Sequence, residues 1–446
     1  MKTRRKGWHI ILATASLVAV IIIIWIAVRS LLNPPTIQNN AVASSEATSS
    51  EVEEVVTPME LPTVLAGLPA REQEQPYAPI EGEIRLRSVG DILIHDRVSV
   101  MADPKSGIYQ TTVAQFQQEG IAIPPATGAY DFYPMIAKIA PFTQYADITI
   151  ANLEIPAAYP QYEVSGYPQF NMSKDILDDL KEAGIDIVSN GTNHTLDLWG
   201  EGALASIQNL KEAGLMYVGS YESWEDKQTP RIIDRNGIKL GFLTYSYGTN
   251  GMPIPEGQEH LISLIDLPVM LEEVAALKQQ VDAVVVTLQL GEEYETLPNE
   301  NQNYVFQALA DAGVSLILGG HPHVLQPIAW FNDGQTYAIY SQASFMSGQR
   351  ESDNKQGGIT EVTFKRQADG TVQVIAPKFM PIYMLGIEAE KMYETVPLAD
   401  YTTYAIPDGA TWWQTLYERM RTFTSDFTYL THLETQWTLE ASDLHR

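Results

Sequence analysis

No cysteine occurs anywhere in this chain of 446 residues. Disulfides and thiolate-held metals are therefore excluded, and any bound cation must rest on His, Asp, Glu, Asn or Gln. Positive charge is scarce as well: Asp plus Glu number 55 against 28 Lys plus Arg, a formal net charge of −27. A surface of that sign does not suit nucleic acid, whose phosphates are bound by basic faces. It also disfavours docking on anionic lipid, and it is compatible with cation binding. The P-loop, the Gly-x-Ser-x-Gly elbow and the dinucleotide-binding glycine fingerprint are all missing. Histidine is rare, with 8 in the chain. Two of them, His321 and His323, nevertheless stand one residue apart in "GGHPHVLQP" (319–327).

What is present begins with Lys2, Arg4, Arg5 and Lys6, followed by an apolar run from Trp8 to Val28. That run is long enough to cross a hydrocarbon core of roughly 30 Å. A cleaved signal peptide has a shorter apolar core, about 7–15 residues, and ends at a small-x-small site. The expectation is therefore an uncleaved signal-anchor over residues 1–32. Basic residues precede the span and only Arg29 lies just after it, which predicts a cytoplasmic N-terminus and an extracytoplasmic remainder. Residues 33–82, as in "SSEATSSEVEEVVTP", are polar, acidic and aperiodic, the composition of a solvated tether.

Regular structure is expected from residue 83. "EIRLRSVGD" alternates like a strand running into a turn. "LKEAGIDIVSNGTNH" (180–194), "LKEAGLMYVGS" (210–220) and "LADAGVSLILGGHPH" (309–323) each read as helix end, glycine, buried strand and loop. "ADITIANLE" (146–154), "KLGFLTYSYG" (239–248) and "DAVVVTLQLG" (282–291) add further strands. The alternation predicts an α/β domain over 83–385. From residue 386 to 446 an aromatic-rich extension, with "TWWQTLYERMRTF", is expected to pack on it.

The strand ends carry the chemistry. Asp91 and His95 follow the first strand. Asn152 and Glu154 follow the second, and Asn193 and His194 the third. Gln289, Glu292 and Glu293 follow "AVVVTL", and His321 and His323 follow "VSLIL". Sites in α/β sheets form at the carboxyl edge, where such loops converge. Alternate residues of an extended segment share a side, which predicts that His321 and His323 face one cavity. Imidazoles and carboxylates together suit Zn, Mn or Fe, and this set resembles the ligands of a two-metal hydrolytic site. Plainer readings stand beside it. His95 alone reads as a structural histidine, and "HPH" alone divides evenly between structure and ligation. Glu292, Glu293 and Glu295 also fit a solvated acidic loop or a glycosidase pair. His9, His260, His432 and His445 have no company.

Taken in order, "SVGDILIHDRV", "ANLEIP", "SNGTNHTLD", "GEEY" and "GGHPHVLQP" resemble the bacterial CapA family of poly-γ-glutamate capsule synthesis proteins. The resemblance covers about residues 84–350. It implies a four-layer α/β/β/α, calcineurin-type metallophosphatase-like sandwich behind the N-terminal transmembrane helix. It implies metal ligation by Asp91, Asn152, Glu154, His194, Gln289, His321 and His323, with Asn193, His194 and Glu293 as catalytic groups. The family's His-Trp-Gly-x-Glu-Tyr stretch is here Gln289-Leu290-Gly291-Glu292-Glu293-Tyr294. Glutamine for histidine implies one tight transition-metal site and a weakened second. The implied role is synthesis, export or anchoring of an anionic surface polymer, poly-γ-glutamate, beside membrane synthase subunits. Two rivals remain: a non-catalytic polymer-binding or assembly subunit, and a surface metallophosphatase unrelated to capsule.

Overall fold

A computed structural model of the chain describes residues 78–386 and 392–435. The expected anchor (1–32) and nearly all of the expected tether (33–82) lie outside the described residues. Among the described residues, no helix is long and apolar enough to cross a membrane.

Two sheets form the centre. The first holds β1 (Glu83–Leu93), β2 (Ile148–Leu153), β3 (Ile187–Ser189) and β4 (Met216–Val218), all parallel neighbours. The second holds β5 (Arg231–Arg235), β6 (Ile238–Ser246), β7 (Ala283–Gln289), β8 (Leu316–Gly320), β9 (Gln326–Phe331) and β10 (Thr336–Ser341). Five later strands complete the first sheet: β11 (Ser344–Ser347), β12 (Gln356–Arg366), β13 (Val372–Leu385), β14 (Glu394–Pro397) and β15 (Thr428–Tyr429).

The apolar runs explain the layering. In β7, Val285 enters the core between the sheets while Val284 and Val286 face the helices Leu267–Lys278 and Glu300–Asp311. In β8, Leu316 and Leu318 face inward and Ile317 outward. In β2, Ile148 and Ile150 meet the second sheet, while Ala151 and Leu153 pack with the helices Asp175–Glu182 and Trp199–Ala213. Strands apolar on both faces are strands covered on both faces, so the order is helices, sheet, sheet, helices. The expected helix-ending glycines Gly184, Gly214 and Gly313 all have positive φ, at 87°, 69° and 83°, where a side chain would be strained.

The segment expected as an extension from residue 386 enters the sandwich itself. It supplies β14 and β15, both paired with β13. Its helix Gly409–Met420 puts Trp413, Leu416 and Met420 into the core between the sheets. Trp330 on β9 donates its indole N–H to the Asp426 carbonyl at 3.0 Å.

One buried charge row crosses the first sheet. Arg87, Glu361 and Lys378 are in-register neighbours on β1, β12 and β13. Arg87 Nε donates to Glu361 Oε2 at 2.7 Å, and Lys378 Nζ pairs with Glu361 Oε1 at 2.9 Å. Burial alone would raise the Glu361 carboxyl. Arg87, Lys378 and Arg85 outweigh it and hold the group down at about 2, against an ordinary 4.5. A depressed folded value means that the row stabilises the fold above the ordinary glutamate value. That contribution fades as pH falls from 4.5 through 2. Removing one member of a buried pair costs about 3–5 kcal/mol. Glu361→Gln is therefore expected to lower stability by that amount near neutral pH. Denaturant titrations should show the gap to wild type closing as pH drops below the ordinary glutamate value. A gap that stays constant with pH would contradict the assignment.

Candidate metal centre

The backbone brings the strand-end residues together by register. Asp91 on β1 pairs with Asn152 on β2, and Asn152 pairs with Ser189 on β3. On the second sheet, Gln289 at the end of β7 pairs with Gly320 at the end of β8. The carboxyl ends of the two sheets then meet side chain to side chain. Asn152 Nδ2 donates to Asp91 Oδ1 at 2.7 Å and to Gln289 Oε1 at 3.1 Å. Gln289 Nε2 donates to Glu154 Oε1 at 2.9 Å and to Asn193 Oδ1 at 3.0 Å. Ser189 Oγ donates to Asn152 Oδ1 at 2.8 Å. Gly320 lies against this network. A Cβ there would stand 3.0 Å from Asn152 Nδ2 and Gln289 Oε1, and 3.1 Å from Asp91 Oδ1.

The two histidines do share one place, but not by strand alternation. β8 closes at Gly320, and His321 and His323 have φ of 92° and 57°. Neither is extended, so the alternation expected from sequence does not apply. A turn aims the rings, whose centroids are 6.0 Å apart. Non-glycine residues rarely adopt such φ values, and they concentrate where surrounding structure imposes them at functional sites. Tyr247 sits 4.5 Å from the His321 ring and Tyr294 6.2 Å from the His323 ring.

Glu154, His321 and His323 each offer a ligand atom within 4.8 Å of the others, and all three are buried. Glu154 Oε2 and His321 Nδ1 are buried without a hydrogen-bond partner. Burial and the Asp91 charge push the Glu154 carboxyl well above the usual range. Burial, with His323 and His194 nearby, pushes His321 down to about 3. Burial also disfavours charge on His323. The Glu154 charge, the Asp91 hydrogen bond and charge, and the Glu293 charge overcome that and raise it to about 9. Its Nδ1 stands 3.1 Å from Asp91 Oδ2 and its Nε2 3.8 Å from Glu154 Oε1. Two buried carboxyl groups thus face one imidazole, and a cation bound among them would offset the burial of the acids. Two imidazoles, a carboxylate and two unpartnered buried atoms fit a divalent transition ion, better than Mg or Ca with their oxygen shells.

The other expected residues surround that triad. His194 Nδ1 bonds to Asp197 Oδ2 at 2.8 Å, which makes Nε2 the free ring nitrogen. Asn193 spends its amide oxygen on Gln289 and donates to Asn250 Oδ1 at 3.2 Å. Glu293 is exposed in the loop after β7, and its charge acts on His323 and Glu154. His95 accepts the Gly348 N–H on Nδ1 at 3.2 Å, and burial lowers it to about 4. Asp197, Asn250, Tyr247 and Tyr294 escaped the reading of candidate residues. Asp197 had a signal, the His-x-x-Asp spacing inside "SNGTNHTLD"; Asn250, in a turn at φ 51°, had none.

Residues 85–349, more than half the chain, match the family model described as bacterial capsule synthesis protein PGA_cap. The chain is 24% identical over 245 residues to the capsule biosynthesis protein CapA of Bacillus anthracis, covering 53% of this chain and 59% of that one. It is 23% identical over 240 residues to the PGA biosynthesis protein CapA of Bacillus subtilis, covering 53% of this chain and 62% of that one. Among solved structures it resembles the calcineurin-like phosphoesterase YfkN of Bacillus subtilis. There the TM-score is 0.39 at 14% identity, covering 76% of this chain and 98% of that one.

Gln289 makes the greatest demand on the site's polar network, since its one amide satisfies three residues at the ends of two strands of the other sheet, Asn152 and Glu154 at the end of β2 and Asn193 after β3. Gln289→Ala leaves those buried groups short of a partner and opens a void between the sheets. The expected loss is about 2–4 kcal/mol, read from chemical denaturation. A loss below about 1 kcal/mol would contradict a tie between the sheets.

Proposed function

Because the chain belongs to the PGA_cap family of bacterial capsule synthesis proteins, we propose that it is a cell-envelope protein handling an anionic surface polymer, poly-γ-glutamate, in synthesis, export or anchoring. Its site is proposed as a one-cation hydrolase or transferase centre acting on an amide or ester. The observation that carries this reading is the buried triad Glu154, His321 and His323, two of whose members keep unpartnered polar atoms. These three residues would hold the ion, with Asp91 fixing His323 through Nδ1. Such second partners orient metal-bound imidazoles and raise their basicity. A bound divalent ion supplies charge stabilisation to an oxygen in a hydrolytic transition state.

The chain's own groups have separate tasks. Asp197 holds the His194 ring, so that Nε2 can accept or deliver a proton at the substrate. Asn193 is fixed at both ends of its amide and serves as a neutral donor beside the reacting group. Glu293, exposed next to Tyr294, would serve as the base. The N-terminal apolar run would anchor the domain in the membrane, next to synthase subunits.

One observation favours a second reading, a non-catalytic polymer-binding or assembly subunit. Gln289 takes the position where the family carries histidine, and both its amide hydrogens are spent on Glu154 and Asn193. Its oxygen accepts from Asn152, so on this reading the side chain would not serve a second ion.

Elemental analysis after chelator-free purification, with melting curves with and without chelator, separates the two. About one tightly held Zn, Mn or Fe per chain is expected, with a lower melting temperature once it is removed. His323→Ala should lose most of the metal and the thermal shift while keeping its secondary structure. Wild-type protein that carries no metal and gains no stability from Zn or Mn would end the hydrolase reading in favour of the assembly subunit.

A further inference from the structure

Among the described residues of this acidic chain, arginine is almost always spoken for. Among the described residues, Arg85, Arg87, Arg231, Arg235, Arg366 and Arg419 pair with carboxylates. Arg421 lies over the Tyr417 ring at 4.8 Å. The two described arginines that remain, Arg97 and Arg350, both line one cavity of about 580 Å³. This cavity adjoins the cation site. Tyr294, whose ring lies 6.2 Å from that of His323, forms part of its wall, as do His95 and Val324. Arg97 is half-buried, and its Nε donates to Tyr393 Oη at 2.8 Å. That bond fixes the plane of the guanidinium, and among the described residues no carboxylate pairs with its two terminal nitrogens. Of the acids in the same wall, Asp353 is taken by Arg419 at 3.1 Å, and Glu351 is exposed.

An excess of acids over bases makes an unclaimed, oriented guanidinium hard to explain by folding, since partners are plentiful. We propose that Arg97 and Arg350 form a subsite for carboxylates of the substrate, placed beside the cation site so that a bound chain crosses Glu154, His321 and His323. The inference rests on the reading of an anionic polymer as substrate. A guanidinium fork matches a carboxylate with two parallel hydrogen bonds, and charged bonds of this kind are the strong ones. Tyr294, 51% exposed in the same wall, offers apolar surface for the chain's methylenes. The pair of arginines also supplies what the overall charge of −27 withholds, a local positive field for a polyanion.

Titration calorimetry on the full-length protein tests this, with a synthetic γ-linked glutamate pentamer as probe. Its fully methyl-esterified form and inorganic phosphate serve as the other two arms. Arg97→Gln and Arg350→Gln are each expected to weaken pentamer binding about tenfold or more. Arg97→Lys should recover only part of the loss, because lysine lacks the fork. The ester should bind wild type and variants equally weakly. Pentamer affinity within twofold of wild type in both Gln variants would overturn the proposal, and so would an equal loss for the ester. Tighter, arginine-dependent binding of phosphate than of pentamer would also overturn it. Metal content measured on the same samples keeps the two ideas apart. Arginine-dependent binding by a metal-free protein removes the cation site and keeps the subsite. A metal-loaded protein indifferent to both arginines does the reverse.

Discussion

The abutment of two carboxyl edges is the constraint on which the rest depends. Parallel strands end together, and here β1, β2 and β3 end against β7 and β8. The groups at those ends are buried, and buried polar groups must find partners. A single glutamine amide answers most of that demand by bonding Asn152, Glu154 and Asn193 at once. What it leaves over is two buried carboxyl groups beside one imidazole, and unpartnered atoms on Glu154 and His321. The polar seam therefore holds the sheets in register and creates the demand for a cation in one arrangement.

Electrostatics elsewhere follow the same economy of positive charge. The row Arg87–Glu361–Lys378 neutralises a buried acid within the first sheet, and Lys378 reaches on to Glu434 near the end of the described chain at 2.7 Å. Helix Gly409–Met420 and strands β14 and β15 add apolar and backbone ties to the same region. Against this background, the described arginines Arg97 and Arg350, which pair with no described carboxylate, stand out, and both line the cavity beside the candidate cation site. On the proposed function, the tension between an acidic protein and a polyanionic substrate would be resolved locally, by an ion and two arginines, and not by the net charge of −27.

Much of this was legible in the sequence, for physical reasons. Runs such as Val284–Val286 and Leu316–Leu318 are apolar on both faces because helices cover one side and a second sheet the other. Residue types at strand ends pointed to the site because the backbone, more than the side chains, fixes where they go. Other features were not legible. The positive φ of His321 and His323 is imposed by the tertiary structure, so strand alternation gave a plausible reason that does not operate. Asn250 reaches Asn193 across a turn that no periodicity marks. The short strands β14 and β15 become strands by pairing with β13, and local propensity does not announce them. Whether an arginine is paired is a three-dimensional fact, so Arg97 and Arg350 carried no signal at all.

Anomalous diffraction from crystals grown with Mn or Zn, recorded on both sides of the metal edge, tests the cation site most directly. The account predicts one strong anomalous peak per chain, about 2.0–2.3 Å from Glu154, His321 and His323, with Gln289 still bonded to Asn193. A metal-soaked, well-ordered crystal with no peak among those three side chains, or with its peak elsewhere on the surface, would contradict it.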